Sequence, residues 1–291
     1  MKCETNGLKG IPDLNMKCDD NALRGVIDMH IHTFPDIKER RLDDIELAKE
    51  AKRVGVQAIV IKSHVVPTMD RAAIAEKAVP GVHVFGGITL NTQVGGLNPA
   101  AVQNAISMNA KIIWLPTEFS ANDRKQKGKS DGIEVLENGT VVPELIEILK
   151  MIAEKDVIMA TAHLSPYETR VVVEKAKELG VKKIVVTHPE WPSVNMGLDD
   201  QKALSKYGVY FERCYARVVN GKWVKNLTMN LKAIEAIGYE STIVSTDAGQ
   251  VENPLWSEEL LDYILFLHKS GLSDKAIDKM TKEYPSKLLG L

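Results

Sequence analysis

Asp28-Met29-His30-Ile31-His32 follows the apolar pair Val26-Ile27 and runs into a loop, Thr33-Phe34-Pro35-Asp36. Side chains of an extended strand alternate faces, so Asp28, His30 and His32 point one way and Ile27, Met29 and Ile31 the other. Two imidazoles two residues apart at the end of a strand can grip one metal ion, because neutral histidine nitrogen is a common zinc ligand. His-x-His alone is a weak signal, and its weight depends on what the rest of the chain sets beside it.

Outward from this strand, strand-like and helix-like patterns alternate. Leu42 to Val54 carries Leu42, Ile45, Leu47, Ala48, Ala51 and Val54 at helical spacing, and Gly55 closes that helix. Strand-like runs follow at 57–62, 81–88, 111–115, 157–161, 183–187, 208–212 and 242–246. Helical patterns fill the intervals at 68–79, 98–108, 143–155, Ser165 to Gly180, about 199–206, 230–237 and 257–269, with terminal helices over 273–289. Asn98-Pro99 supplies a cap and a first-turn proline. Short apolar strands, each followed by a helix, predict an α/β fold with a parallel sheet and helices outside. Eight such units in 291 residues favour a closed (β/α)8 TIM barrel, with a doubly wound open sheet as the alternative.

No sequence repeat, low-complexity tract or Pro/Ser linker marks a second domain, so residues 1–291 read as a single domain. Residues 1–25 are polar and read as an N-terminal extension packed on the outside. Residues 117–142 form an insertion after the fourth strand, with Arg124, Lys125, Lys127 and Lys129 and then a hairpin signal, Glu137-Asn138-Gly139-Thr140. A mobile cover over the barrel mouth that closes on an anionic substrate group is the functional reading of that insertion.

Composition is that of an ordinary globular protein: 44% apolar, 26% charged, 37 basic against 39 acidic residues and a formal net charge of -2. It points away from nucleic-acid and membrane-surface partners and toward a small-molecule substrate. The cysteines, Cys3, Cys18 and Cys214, are unclustered, and Met1 to Asn6 has no apolar leader core, so a reduced cytoplasm is the expected compartment. The apolar run Leu260 to Leu267 could serve a homo-oligomer as well as a core.

The polar residues at strand C-termini carry the chemistry, because active sites of such barrels form at that face. His30, His32, His64, His163 and His188, five of the seven histidines, fall at strand ends. Lys62 shares a face with His64, and the eighth strand ends in Thr246-Asp247. His83 and His268 lie elsewhere and are expected to be ordinary surface or packing residues. Arg71, Glu118, Trp191, Glu212 and Gln250 lie at or just past strand ends, where substrate contacts are expected.

Asp28-x-His30-x-His32, His163, His188 and Asp247, in this strand order, resemble the amidohydrolase superfamily of metal-dependent barrel hydrolases. The resemblance spans residues 28 to 247. More narrowly, Lys62-Ser63-His64, Gly95-Gly96-Leu97-Asn98-Pro99, Thr187-His188-Pro189-Glu190 and Thr246-Asp247-x-Gly249-Gln250 resemble amidohydrolase-like proteins without an assigned substrate. The resemblance implies one or two divalent ions, Zn2+ or another first-row metal. His30 and His32 would hold the more buried ion with Asp247. His163 and His188 would hold a second ion or orient substrate. Asp247 would accept the proton of an activated water and pass it to the leaving group. Two-metal members often carry a bridging carboxylated lysine or glutamate on the fourth strand. Here that strand reads Trp114-Leu115-Pro116-Thr117-Glu118, leaving Glu118, or Lys62 with His64, as the candidates for that role.

The implied activity is hydrolysis of a C–N bond in an amide, a cyclic amide or a related group, with esters and lactones open to the same chemistry. The alternatives are a phosphoesterase of the polymerase-and-histidinol-phosphatase type, a non-hydrolytic decarboxylase on the same scaffold, and a barrel that only binds a ligand or metal.

Overall fold

The computed structural model describes residues 22–291; of the expected N-terminal extension, residues 1–21 lie outside the described residues. The first strand, β1 (Ile27–His32), is buried along its whole length. Burial on both faces is what a strand meets inside a ring of helices. The elements then follow as α1 (Asp44–Arg53), β2 (Ala58–Lys62), α2 (Met69–Ala78), β3 (His83–Phe85), β4 (Gly87–Thr89), α3 (Pro99–Ser107) and β5 (Ile112–Trp114). Next come α4 (Ala121–Gln126), β6 (Leu136–Glu137), β7 (Thr140–Val141), α5 (Pro143–Lys155), β8 (Ile158–Ala160), α6 (Pro166–Glu178) and β9 (Ile184–Thr187). The chain continues through α7 (Leu198–Ser205), β10 (Tyr210–Cys214), β11 (Ala216–Val219), β12 (Lys222–Lys225), α8 (Leu227–Ile237) and β13 (Thr242–Ser245). It ends with α9 (Trp256–Lys269), α10 (Asp274–Asp278) and α11 (Tyr284–Leu289).

Two runs of parallel strands, β1-β2-β3 and β4-β5-β8-β9-β10-β13, make the wall. The expected third strand over 81–88 is real but broken: β3 pairs with β2 and β4 pairs with β5, and the chain steps between them at Gly86. The step needs glycine. A Cβ on Gly86 would lie 2.5 Å from the Thr68 carbonyl, and one on Gly87 would lie 2.1 Å from the Ile112 carbonyl oxygen. The other seam joins the last strand to the first. The amide of His32 donates to the Ala248 carbonyl at 2.8 Å, and that of Asp247 donates to the His30 carbonyl at 2.9 Å. The wall is thus the TIM barrel that the eight-fold alternation predicts. Gly249, at φ +120°, lies against the same seam, where a Cβ would fall 1.9 Å from the His32 carbonyl oxygen.

Helix ends match the local signals. Asp43 and Glu46 form a capping box on α1, Ser165 and Glu168 form one on α6, and the Asn98 side chain accepts from the Ala101 amide at the start of α3. The expected hairpin in the insertion is present as β6-β7. A second hairpin, β11-β12, follows β10 and was not expected. Its turn, Asn220-Gly221, has positive φ at both residues, the same chemistry as Asn138-Gly139. The apolar run in α9 puts Leu260, Tyr263, Ile264 and Leu267 into the core at helical spacing. No helix among the described residues is long and apolar enough to cross a membrane.

One core position resists the apolar pattern. Glu259 on α9 is wholly buried, and neither carboxylate oxygen has a hydrogen-bond partner. Burial, reinforced by the Asp247 and Asp28 carboxylates, pushes its carboxyl from the ordinary 4.5 up to about 9. The folded chain therefore keeps a proton that the unfolded chain releases. Stability should fall as pH rises through that window, by up to about 1.4 kcal/mol per pH unit. Glu259→Gln should melt at a higher temperature than wild type at pH 8 and show a flatter dependence between pH 5 and pH 8. Thermal melts across that range check this, and parallel curves for the two proteins would contradict it.

Candidate metal centre

His163, His188 and Asp247 owe their positions to short departures from the strand. Ala162 (φ 53°), His188 (φ 25°) and Asp247 (φ 57°) all take left-handed backbone just past β8, β9 and β13. Non-glycine residues rarely pay that strain without a surrounding structure that demands it, and such residues cluster at functional sites. The turns aim His163, His188 and Asp247 into the barrel mouth, beside side chains that β1, β2 and β10 deliver directly.

The deepest group is built on His30. Its Nε2 lies 3.1 Å from Asp247 Oδ1 and 3.0 Å from Lys62 Nζ. Its Nδ1 lies 3.1 Å from Glu212 Oε2, and Glu212 Oε1 accepts from the Ser245 hydroxyl at 3.0 Å. His32 Nε2 reaches the same Asp247 oxygen at 3.1 Å. Cys214 Sγ stands 3.9 Å from His30 Nδ1. Asp28 turns to support rather than to the mouth: it accepts from the Thr246 hydroxyl at 2.6 Å and the Trp256 indole at 2.8 Å, tying the first strand to the last and to α9.

The imidazoles continue outward without a gap. His64 stacks on His32 at 4.7 Å between centroids, His188 lies 5.8 Å from His30, and His163 lies 5.1 Å from His188. Trp191 covers His188 at 5.2 Å and His163 at 6.0 Å, and Trp223 of the β11-β12 hairpin lies 5.7 Å from Trp191. His64 Nδ1 is 2.9 Å from the Thr117 hydroxyl.

Charge divides sharply across the cluster. Burial opposes protonation of His30, but Asp247 and Glu212 outweigh it, against Lys62, and raise its pKa to about 9. His32, His64 and His188 are held well below the ordinary value, by burial and then by positive neighbours. His163 is lowered by burial, with Asp123 opposing. Burial lowers Lys62, with Asp247 and Glu212 opposing. Burial works to raise Asp247, yet His30 and His32 keep its carboxyl well below the carboxylate range. Cys214 is pushed well up by burial and by the Glu212 and Asp247 carboxylates.

The donor set fits a borderline divalent ion. Among the described residues, ligand atoms of His30, Cys214 and Asp247 lie within 4.8 Å of one another. His32 shares the Asp247 oxygen with His30. Nitrogen, carboxylate and sulfur donors are the set that zinc and its neighbours take. His32 and His188 each carry a buried Nδ1 with no hydrogen-bond partner, so these imidazoles are not consumed by the protein's own bonding. The Glu212 carboxylate behind His30 is the outer partner that orients a ligating imidazole. Lys62 competes for the same His30 nitrogen, so an ion there requires its ammonium to move aside.

The structure thus gathers His30, His32, Lys62, His64, His163, His188 and Asp247 in one place. Of the softer expectations, Glu212 and Trp191 reach the cluster, while Arg71, Glu118 and Gln250 are engaged by other partners. Arg71 is bound bidentately to Asp44, at 2.7 and 2.8 Å, and to the Pro35 carbonyl at 2.9 Å, so it braces the loop after β1. Glu118 pairs with Lys38 at the rim. Gln250 donates to the Asp247 carbonyl at 2.9 Å and accepts from Asn253 at 3.1 Å, which holds the turn after β13. Glu212 faces His30 from behind. Trp191 does line the mouth. His83 pairs with Glu76 and His268 with Asp274, both away from the cluster. Sequence reasoning missed Cys214, Asp123 and Trp223. Cys214 lies two residues after Glu212 on one strand face, and Trp223 follows an Asn-Gly turn, so both left a signal. Asp123 left none.

Compared with known proteins, residues 25–212 match the model of a family described as "Family of unknown function (DUF6282)". No curated protein matches the chain. Among solved structures the fold is that of amidohydrolase-superfamily proteins. An amidohydrolase from Pseudomonas aeruginosa aligns with a TM-score of 0.66 at 12% identity, covering 93% of this chain and 97% of that one. The dipeptidase AC, a metallopeptidase, gives 0.63 at 10%, covering 91% and 98%. 2,6-Dihydroxybenzoate decarboxylase from Rhizobium gives 0.56 at 12%, covering 92% and 99%.

If Glu212 orients His30 toward an ion, Glu212→Gln should weaken zinc binding by about 10-fold or more, the scale for losing an outer carboxylate. Competition titration against a chromogenic chelator measures this, and unchanged affinity in a folded variant would count against the arrangement.

Proposed function

The chain belongs to the family of unknown function DUF6282, and within it we propose that this protein is a metal-dependent hydrolase, acting on an amide, a cyclic amide or a related C–N bond, with esters and lactones as secondary substrates. The observation that carries the reading is the convergence of His30 and His32 on one oxygen of Asp247, each at 3.1 Å. His30, His32 and Asp247 would hold one divalent ion, zinc by donor preference, with Cys214 beside it. A single ion is favoured because β5 ends in Trp114 and Glu118 is engaged by Lys38. When bound, the ion supplies a water activated at neutral pH and polarises the scissile carbonyl.

The protein's own groups do the rest. The Asp247 carboxyl stays ionised, so it can accept a proton at the reacting centre and return it to the leaving nitrogen. His163 and His188 are neutral imidazoles on the outer side, able to offer a lone pair to the ion or to a substrate N–H. Lys62, buried among these side chains, would meet a substrate oxygen. Trp191 and Trp223 exclude water from the rim and offer flat faces to a planar substrate.

A second reading, decarboxylation of an aromatic acid, has its own support in Lys62, whose Nζ lies 5.3 Å from the Trp114 ring within the cluster that Trp191 covers. It uses the same ion but needs no water. Assay of the zinc-loaded protein against amide, lactone and aromatic carboxylic acid panels separates the two: hydrolysis products support the first, carbon dioxide release the second.

Asp247→Asn keeps the shape of the side chain but cannot take up a proton. With the substrate that panel identifies, kcat should fall by about 10²–10⁴, the usual scale for a lost general base. Zinc content should stay near the wild-type value. Turnover at the wild-type rate would remove Asp247 from the chemistry, even with the barrel and its ion intact.

A further inference from the structure

The insertion after β5, expected to cover the barrel mouth, makes the contacts of a clamp. Arg124 is engaged by Asp131 and lies over the Phe119 ring, so its charge is met within the insertion. Helix α4 instead grips the two loops that carry His163 and His188. Ser120 Oγ and Asn122 Nδ2 donate to the His163 carbonyl at 3.1 and 2.9 Å. Asn122 Nδ2 and Gln126 Nε2 donate to the Ser193 carbonyl at 2.6 and 2.7 Å.

Within this clamp sits Asp123, with its side chain 5% exposed. Its Oδ1 faces His163 Nδ1 at 3.4 Å, and its Oδ2 is held by Lys127 Nζ at 2.5 Å. The Asp123 amide is fixed in turn by Ser120 Oγ at 3.0 Å. Among the described residues His163 Nδ1 has no other hydrogen-bond partner, and Asp123 is the acidic group within ion-pair distance of it. A neutral imidazole carries one N–H, and the group facing one nitrogen decides which nitrogen keeps it.

From this geometry we infer that Asp123 is a positioning residue of the site: its carboxylate keeps the His163 proton on Nδ1, so that Nε2 presents a lone pair to the barrel mouth. The separation is long for a hydrogen bond, as contacts of this kind often are before the ligand is bound. The assignment rests on the proposed function only in taking His163 as part of the site. The insertion then contributes to chemistry by fixing a histidine, and its helix is a rigid part of the mouth.

The test reads the proton directly. Long-range 1H–15N histidine spectra of the full chain, 15N-labelled, stripped of metal and held at pH 8, report which nitrogen of each ring is protonated, and His163→Gln assigns the signal. Wild type should show His163 protonated at Nδ1. Asp123→Ala should move the proton to Nε2, wholly or in large part. A wild-type His163 protonated at Nε2 would overturn the inference, and so would an Asp123→Ala spectrum that keeps Nδ1–H. The wild-type spectrum alone decides if the variant does not fold. Because no metal or substrate is present, either result stands whether or not the chain proves to be a hydrolase.

Discussion

The carboxylate of Asp247 meets His30 and His32 across the seam where the last strand of the barrel closes on the first. The same few residues do both jobs: the Asp247 amide donates to the His30 carbonyl at 2.9 Å while its side chain lies 3.1 Å from both imidazoles. Closing the barrel and assembling the cluster are therefore one event. Three buried charged or chargeable groups in contact are costly to desolvate, and they hold together only because each has a partner. Glu212 behind His30 adds an outer partner, and Asp28, tied to Thr246 and Trp256, and Gln250, on the Asp247 carbonyl, brace the backbone that carries them. Gly249 lets the chain pass close enough for the seam to form.

Much of the barrel was legible because its strands are short apolar runs separated by capped helices, a pattern with few other solutions. The His-x-His strand and the positions of His163, His188 and Asp247 were legible for the same reason, since a strand end in such a barrel is by construction a place in the mouth. The break in the third strand was not, although Gly86-Gly87 marks it. Two adjacent glycines read equally as a loop until the close approach of Thr68 and Ile112 is known. The β11-β12 hairpin was missed despite Asn220-Gly221, because the flanking Arg217 to Val219 and Lys222 to Val224 lack clean alternation.

Side-chain roles off the strands were far less legible. Arg71 and Glu118 looked like pocket residues by proximity in sequence, yet Asp44 and Lys38 claim them, from segments whose approach no local pattern encodes. Glu212 was placed at the right strand end but its contact with His30 was not foreseen, because strand phase tells that a residue points inward and not how far it reaches. Asp123 sits in a polar stretch of an insertion whose fold depends on two other loops. Such a position becomes visible only when the His163 and Ser193 carbonyls are in place.

The central claim is that this histidine cluster with its carboxylate is one divalent metal site. X-ray absorption at the zinc edge of the zinc-loaded protein tests it most directly. The account predicts nitrogen and oxygen scatterers at about 2.0–2.2 Å, with the outer-shell signature of at least two imidazoles, lost when His30 and His32 are both replaced by alanine. An all-oxygen shell with no imidazole signature, or one unchanged in that double variant, would contradict it.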